Sequence, residues 1–166
     1  MCSMAVAFIS GTSGETHGRT GGPPVPPSQR PSVVLWPDTF NNHFHPNIAK
    51  AAVEVLEHAG YQVVIPEVSL CCGRPLYDFG MLDTARHLLS QILETLRPHI
   101  VAGIPVIGLE PSCVSVFRDE MTNLLPNNAD ALRLKEQTFL LSEFLELHAK
   151  GFDLPRFERK ALLHGH

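Results

Sequence analysis

The chain has 166 residues, 44% of them hydrophobic, enough for one domain with a buried core. A net charge of −4 gives no basic footprint for nucleic acid, and no apolar run is long enough to span a bilayer. The opening MCSMAVAFIS has a short apolar piece but neither a basic n-region nor a clear cleavage site, so it does not read as a signal peptide.

Residues 1–30 are rich in Gly, Pro, Ser and Thr, and they read as a disordered tail that cannot bury enough surface to offset its ordering entropy. The folded part is expected over 31–166. SVVLW (32–36) reads as a buried strand. PNIAKAAVEVLEHAG (46–60) reads as a helix with Ile48, Ala52, Val55, Leu56 and Ala59 on one face, Pro46 in its first turn and Gly60 just past its end. YQVVIP (61–66) is a second strand, and 81–99 a second helix with Leu82, Ala85, Leu89, Ile92 and Leu96 in a stripe. IPVIGLE (104–110) is a third strand, followed by helices over 112–125 and roughly 130–149. KALLHGH (160–166) reads as a fourth strand. Strands alternating with crossover-length helices predict an α/β three-layer sandwich, with a mainly parallel four-stranded sheet. A strand at the very end of the sequence suggests a domain incomplete at its C-terminus.

In open parallel sheets, ligands bind outside the carboxyl ends of the strands. Asp38, Asn41, Asn42, His43 and His45 follow the first predicted strand. Cys71, Cys72, Gly73 and Arg74 follow the second, and Glu110, Ser112 and Cys113 the third. His164 and His166 lie at the end of the fourth. Three cysteines distant in sequence are thereby expected at one edge. A helix N-terminus near Cys113, and Arg74 beside the pair, would favour thiolate, the form that ligates soft metals. Gly73 would allow a close backbone approach or a positive φ.

Other readings of the same residues stay open. A single buried cysteine often serves as a small hydrophobe, and Asp and Asn favour turns. Cys71, Cys72, Cys113 and His166 suit zinc by ligand type, but they lack the C-x₂₋₄-C spacing of structural zinc sites. Ferredoxin spacing is absent as well. The vicinal pair without spaced partners argues against a secreted disulfide framework and for a reducing cytoplasm.

The segments LWPDTFNNHFHP, CCGRP, EPSC and HGH, at these spacings, resemble the cysteine-rich CCG domain, and the resemblance covers about 31–166. Such domains occur in FAD-linked D-lactate and other D-2-hydroxyacid dehydrogenases. They occur also in the iron–sulfur subunits of glycolate oxidase and anaerobic glycerol-3-phosphate dehydrogenase, and in heterodisulfide reductase. The resemblance implies an electron-transfer domain, not catalytic alone, that binds an iron–sulfur cluster, such as 4Fe-4S, for an FAD-linked oxidoreductase acting on D-lactate or a related 2-hydroxy acid. It implies Cys71, Cys72 and Cys113 as thiolate ligands, with Arg74 balancing anionic charge and Asp38, Asn42 and Glu110 shaping the pocket. Implied partners are flavin-binding and ferredoxin-like domains or subunits, through which the protein would sit at the inner face of a membrane. FAD would belong to those partners.

The chain departs from the fuller motif at two points. Heterodisulfide reductase has a cysteine where this chain has the loop around Asp38, and a C-x-x-C where this chain has Cys113-Val114-Ser115-Val116. In the dehydrogenases Cys-His and a second CCG motif follow HGH, so the sequence reads as a fragment with an incomplete ligand set. The alternatives are a metal-free interaction module or inactive gene remnant, and a zinc or thiol-redox protein.

Overall fold

The computed structural model describes residues 30–68, 70–152, 158, 160 and 162. Its strands are β1 (Ser32–Leu35), β2 (Gln62–Val64), β3 (Val106–Gly108) and β4 (Thr138–Leu140). They form one sheet in the order β2-β1-β3-β4, every pair parallel. Parallel neighbours need long crossovers, and helices fill them. These are α1 (Thr39–His43), α2 (Pro46–His58), α3 (Arg74–Asp78) and α4 (Leu82–Val101). After β3 come α5 (Pro111–Ser115), a π-helical turn (Val116–Glu120), α6 (Met121–Leu124) and α7 (Ala129–Gln137), and after β4 comes α8 (Leu141–His148).

Pleating sends alternate β1 residues to opposite faces, and both faces are buried. Val33 and Leu35 pack with Ile107, with Ala52 and Leu56 of α2, and with Phe144 of α8. Val34 and Trp36 pack on the other side with Leu89, Ile92 and Leu96 of α4, Phe117 and Met121, and Leu134 of α7. The result is the expected three-layer arrangement. Burying each such side chain contributes ~1.5–3 kcal/mol relative to leaving it in water. Of the predicted helix stripes, Ile48 and Leu82 are exposed, each in the first turn of its helix. Helix α4 runs through Pro98 to Val101 instead of stopping at 99, its last turn closed by the Ala102 N–H to the Pro98 carbonyl at 3.2 Å.

The helix expected over 130–149 is broken in two, and the sheet's fourth strand lies inside it. The Asn128 side chain caps the start of α7, and the Thr138 hydroxyl donates to the Leu134 carbonyl at 2.7 Å at its end. Thr-Phe-Leu then pairs with β3, and this gives its backbone groups partners that a helix would otherwise supply. Arg118 secures the junction: its Nε and Nη2 donate to the Thr138 carbonyl at 3.0 and 2.8 Å, and it pairs with Glu143 of α8. Its guanidinium holds the Glu143 carboxyl below the usual range. The predicted strand over 160–166 and the predicted tail over 1–30 lie outside the described residues, apart from Arg30, Lys160 and Leu162.

Gly108 shows how closely β3 and α5 meet. A Cβ there would stand 2.4 Å from Val114 Cγ2, inside van der Waals contact. Gly108→Ala is expected to cost about 1–3 kcal/mol, seen as a lower urea midpoint, with partial recovery in the Gly108→Ala/Val114→Ala double variant.

Candidate functional site

Strand order reverses between β1 and β3, and the carboxyl edge of the sheet at such a point is where open parallel sheets hold ligands. The loops after β1, β2 and β3 bring Asp38, the Cys71–Arg74 segment and the Glu110–Cys113 segment to this edge. Cys72 and Cys113, 41 residues apart, meet in the core: the Cys113 thiol donates to Cys72 Sγ at 3.1 Å. Both are buried, Cys71 is exposed, and all three are free thiols. The distance is well beyond the ~2.05 Å of a disulfide.

Local chemistry explains the placement. Gly73 caps α3 with φ +77, a left-handed conformation that strains any residue with a Cβ, so the chain turns into the helix directly after the thiols. Pro75 fits the first turn. On the other side Glu110 caps α5, its carboxylate accepting the Ser112 N–H at 3.1 Å, and Pro111 precedes Cys113 in the first turn.

Electrostatics differ from the sequence-based expectation. The Cys72 thiol is pushed up to about 12, first by its hydrogen bond with Cys113 and then by burial, against a lowering from Cys71. Cys71 is raised further, chiefly by its hydrogen bond with Cys72 and by burial. Arg74 does not hold these groups as thiolates. Its Nη1 pairs with buried Glu120 at 2.5 Å and its Nε with Asp78 at 3.0 Å. In the metal-free chain the pair Cys71–Cys72 is protonated at neutral pH, and a metal must displace protons to bind.

Folding and thiol protonation are therefore linked. A thiol whose pKa is raised by folding stabilises the fold fully below its ordinary value of 9.0, and that contribution is lost as pH rises toward about 12. The urea midpoint of the metal-free chain is expected to fall between pH 7 and pH 10. Cys72→Ser should flatten that dependence, as parallel titrations of the two proteins would measure.

The other predicted residues take capping and surface positions. Asp38 is buried, and both carboxylate oxygens are engaged, one by the Asn41 N–H at 3.0 Å and the other by Asn41 Nδ2 at 2.6 Å. It caps α1. Asn42 follows in α1, half-buried, its N–H donating to the Asp38 carbonyl. His43 and His45 are exposed, and His164 and His166 lie outside the described residues. Among the described residues no three His, Cys, Asp or Glu groups surround a position for a single metal ion. The donor set itself, three thiols from two loops, is of the ligand type that holds iron–sulfur centres and is one short of their usual four cysteines.

The sequence did not single out Glu120 or Thr39. Glu120 is one of the few buried charged residues, and it reads as an ordinary helical acid until Arg74 is seen across from it. Thr39 hydrogen-bonds the Cys71 side chain from α1. An open cleft of about 960 Å³ lies elsewhere, between α2, the ends of β3 and β4, and α8. Ile48, Leu109, Leu140 and Leu145 line it and no thiol reaches it, so it is separate from the cysteine site.

The family described as the CCG cysteine-rich domain matches residues 38–118, which include Asp38, the Cys71–Arg74 segment and the Glu110–Cys113 segment. Lactate utilization protein A of Bacillus subtilis (strain 168) is 34% identical over 117 residues, 68% of this chain and 47% of that protein. Lactate utilization protein A of Anoxybacillus flavithermus (strain DSM 21510 / WK1) is 28% identical over 138 residues, 80% of this chain and 56% of that protein. One subunit of the anaerobic glycerol-3-phosphate dehydrogenase of Escherichia coli (strain K12) is 32% identical over 114 residues, 68% of this chain and 28% of that protein. The chain thus spans about half the length of the lactate utilization relatives it matches. No solved structure matches.

Proposed function

As a chain whose residues 38–118 form a CCG cysteine-rich domain, this protein is, we propose, an iron–sulfur-associated electron-transfer domain of a multi-component oxidoreductase. The reading extends to an FAD-linked enzyme acting on D-lactate or a related 2-hydroxy acid. Flavin-binding and ferredoxin-like partners would supply the substrate chemistry. The relatives named for lactate utilization and for a glycerol-3-phosphate dehydrogenase support this class of partner. No helix among the described residues is long and apolar enough to cross a membrane. We place the protein in the cytoplasm, at the inner face of a membrane through those partners.

The observation that carries the reading is the meeting of Cys72 and Cys113 beside exposed Cys71, at the edge where such a fold binds ligands. Cys71, Cys72 and Cys113 would hold the centre, with His166 a further candidate ligand. Bound there, an iron–sulfur centre supplies single-electron acceptance and release. The chain's own residues do the positioning. Gly73 turns the chain into α3 directly after the thiols, Asp38 and Glu110 cap the helices on either side, and Arg74 ties the loop to Glu120. Exposed Cys71 gives the site its contact with solvent and partner.

Anaerobic reconstitution with iron and sulfide tests the reading. The expected result is bound iron and sulfide with a visible charge-transfer band that Cys71→Ser loses. A folded chain that takes up neither would overturn it, and uptake of colourless zinc alone would favour a zinc protein.

A further inference from the structure

Trp36 carries a buried hydrogen-bond donor at the carboxyl edge of the sheet. The residue is 1% exposed, and its Nε1–H has no partner among the described residues. An indole N–H can donate but cannot accept, and burying it unpaired is costly enough that native proteins seldom do so without reason. Its position is fixed by the backbone: the Trp36 N–H donates to the Ile107 carbonyl at 2.8 Å, at the carboxyl end of β1. The ring lies edge-on to Phe117, with centroids 5.0 Å apart, and Phe117 follows Cys113 by one turn. Trp36, Cys72, Cys113 and Phe117 belong to one buried cluster. Among the described residues the other unpartnered buried side-chain atom is Gln137 Oε1, just before the amino end of β4, and that side chain is already engaged, its Nε2 donating to the Ile100 carbonyl at 3.0 Å.

We infer that the Trp36 indole N–H is reserved for a sulfur acceptor that arrives with the metal centre, and that this hydrogen bond raises the centre's reduction potential. The inference rests on the iron–sulfur reading above. Sulfur in a reduced centre carries more negative charge than in an oxidised one, so a donor stabilises the reduced form more. Trp36 is therefore a positioning residue for the electron. It moves no proton and forms no covalent bond, and the electron comes from the external reductant.

Because Trp36 is the single tryptophan of the chain, biosynthetic replacement by benzothienylalanine changes that one side chain. The analogue keeps the bicyclic shape and exchanges the N–H for sulfur. Native and substituted chains are reconstituted together, with Trp36→Phe as a second donor-free variant. Iron and sulfide content and the midpoint potential, titrated with dithionite, are measured in each. The expected result is equal loading, with a potential more negative in both donor-free proteins by about tenfold in the redox equilibrium, ~59 mV for a one-electron couple. Equal potentials at equal loading overturn the inference and leave the iron–sulfur reading intact. Absence of iron and sulfide from the native chain overturns that reading, and the inference with it.

Discussion

Replacing Cys72 with serine is expected to abolish iron and sulfide incorporation while the chain stays folded. The sulfur is buried and accepts a hydrogen bond from the Cys113 thiol, so it stands at the centre of the thiol set and not at its margin. Serine is nearly isosteric and can keep a hydrogen bond to Cys113, but its oxygen is a poor ligand for a soft metal. Loss of an outer-shell partner already costs ~10–100-fold in metal affinity, and loss of a direct ligand from so small a set should exceed that. Iron and sulfide analysis after anaerobic reconstitution measures it, and circular dichroism confirms the fold. Wild-type loading in Cys72→Ser would remove this residue from the site.

Phe117→Ala is expected to be the most destabilising single change in the region. Phe117 is 1% exposed and lies in the π-helical turn against Trp36. Truncating such a side chain costs about 3–5 kcal/mol, a large share of the roughly 5–15 kcal/mol that holds a domain folded. Two measurements check it: a lower urea midpoint, and a red-shifted Trp36 emission as water reaches the ring. Phe44→Ala is the control, because Phe44, just past the end of α1, is 67% exposed and should change neither by much.

Periodicity made most of this fold readable. Val33 to Trp36 form a continuous apolar run because both faces of β1 are covered, and α2 and α4 show the 3.6-residue stripe of helices on a sheet. β4 was hidden because Thr138–Leu140 is three residues long and lies between two amphipathic helices whose stripes run together. Only its pairing with β3 distinguishes it, and pairing is a property of the whole sheet. The gathering of Cys71, Cys72 and Cys113 at one edge was legible from strand ends alone. Their protonation was not, because it depends first on the hydrogen bonds the thiols make with one another and then on burial, while Arg74 is drawn to Glu120, 46 residues along the chain. The orphaned indole of Trp36 likewise leaves no trace in residue order, since burial and a missing partner exist only in three dimensions.

The ion pair between Arg74 and Glu120 has a consequence for how quickly the site can fill. Arg74 follows Cys72 by two residues, and Glu120 lies one helical run beyond Cys113. The pair is thus a clasp across the gap that the two sulfurs share. Without it, an incoming metal caught by one cysteine would wait for a long loop to close before meeting the next. With it, that ordering is complete when the chain folds, and the second sulfur is already in place when the first is engaged. On the iron–sulfur reading, capture would then be limited by proton release from the thiols and by access past exposed Cys71, not by a search through chain conformations.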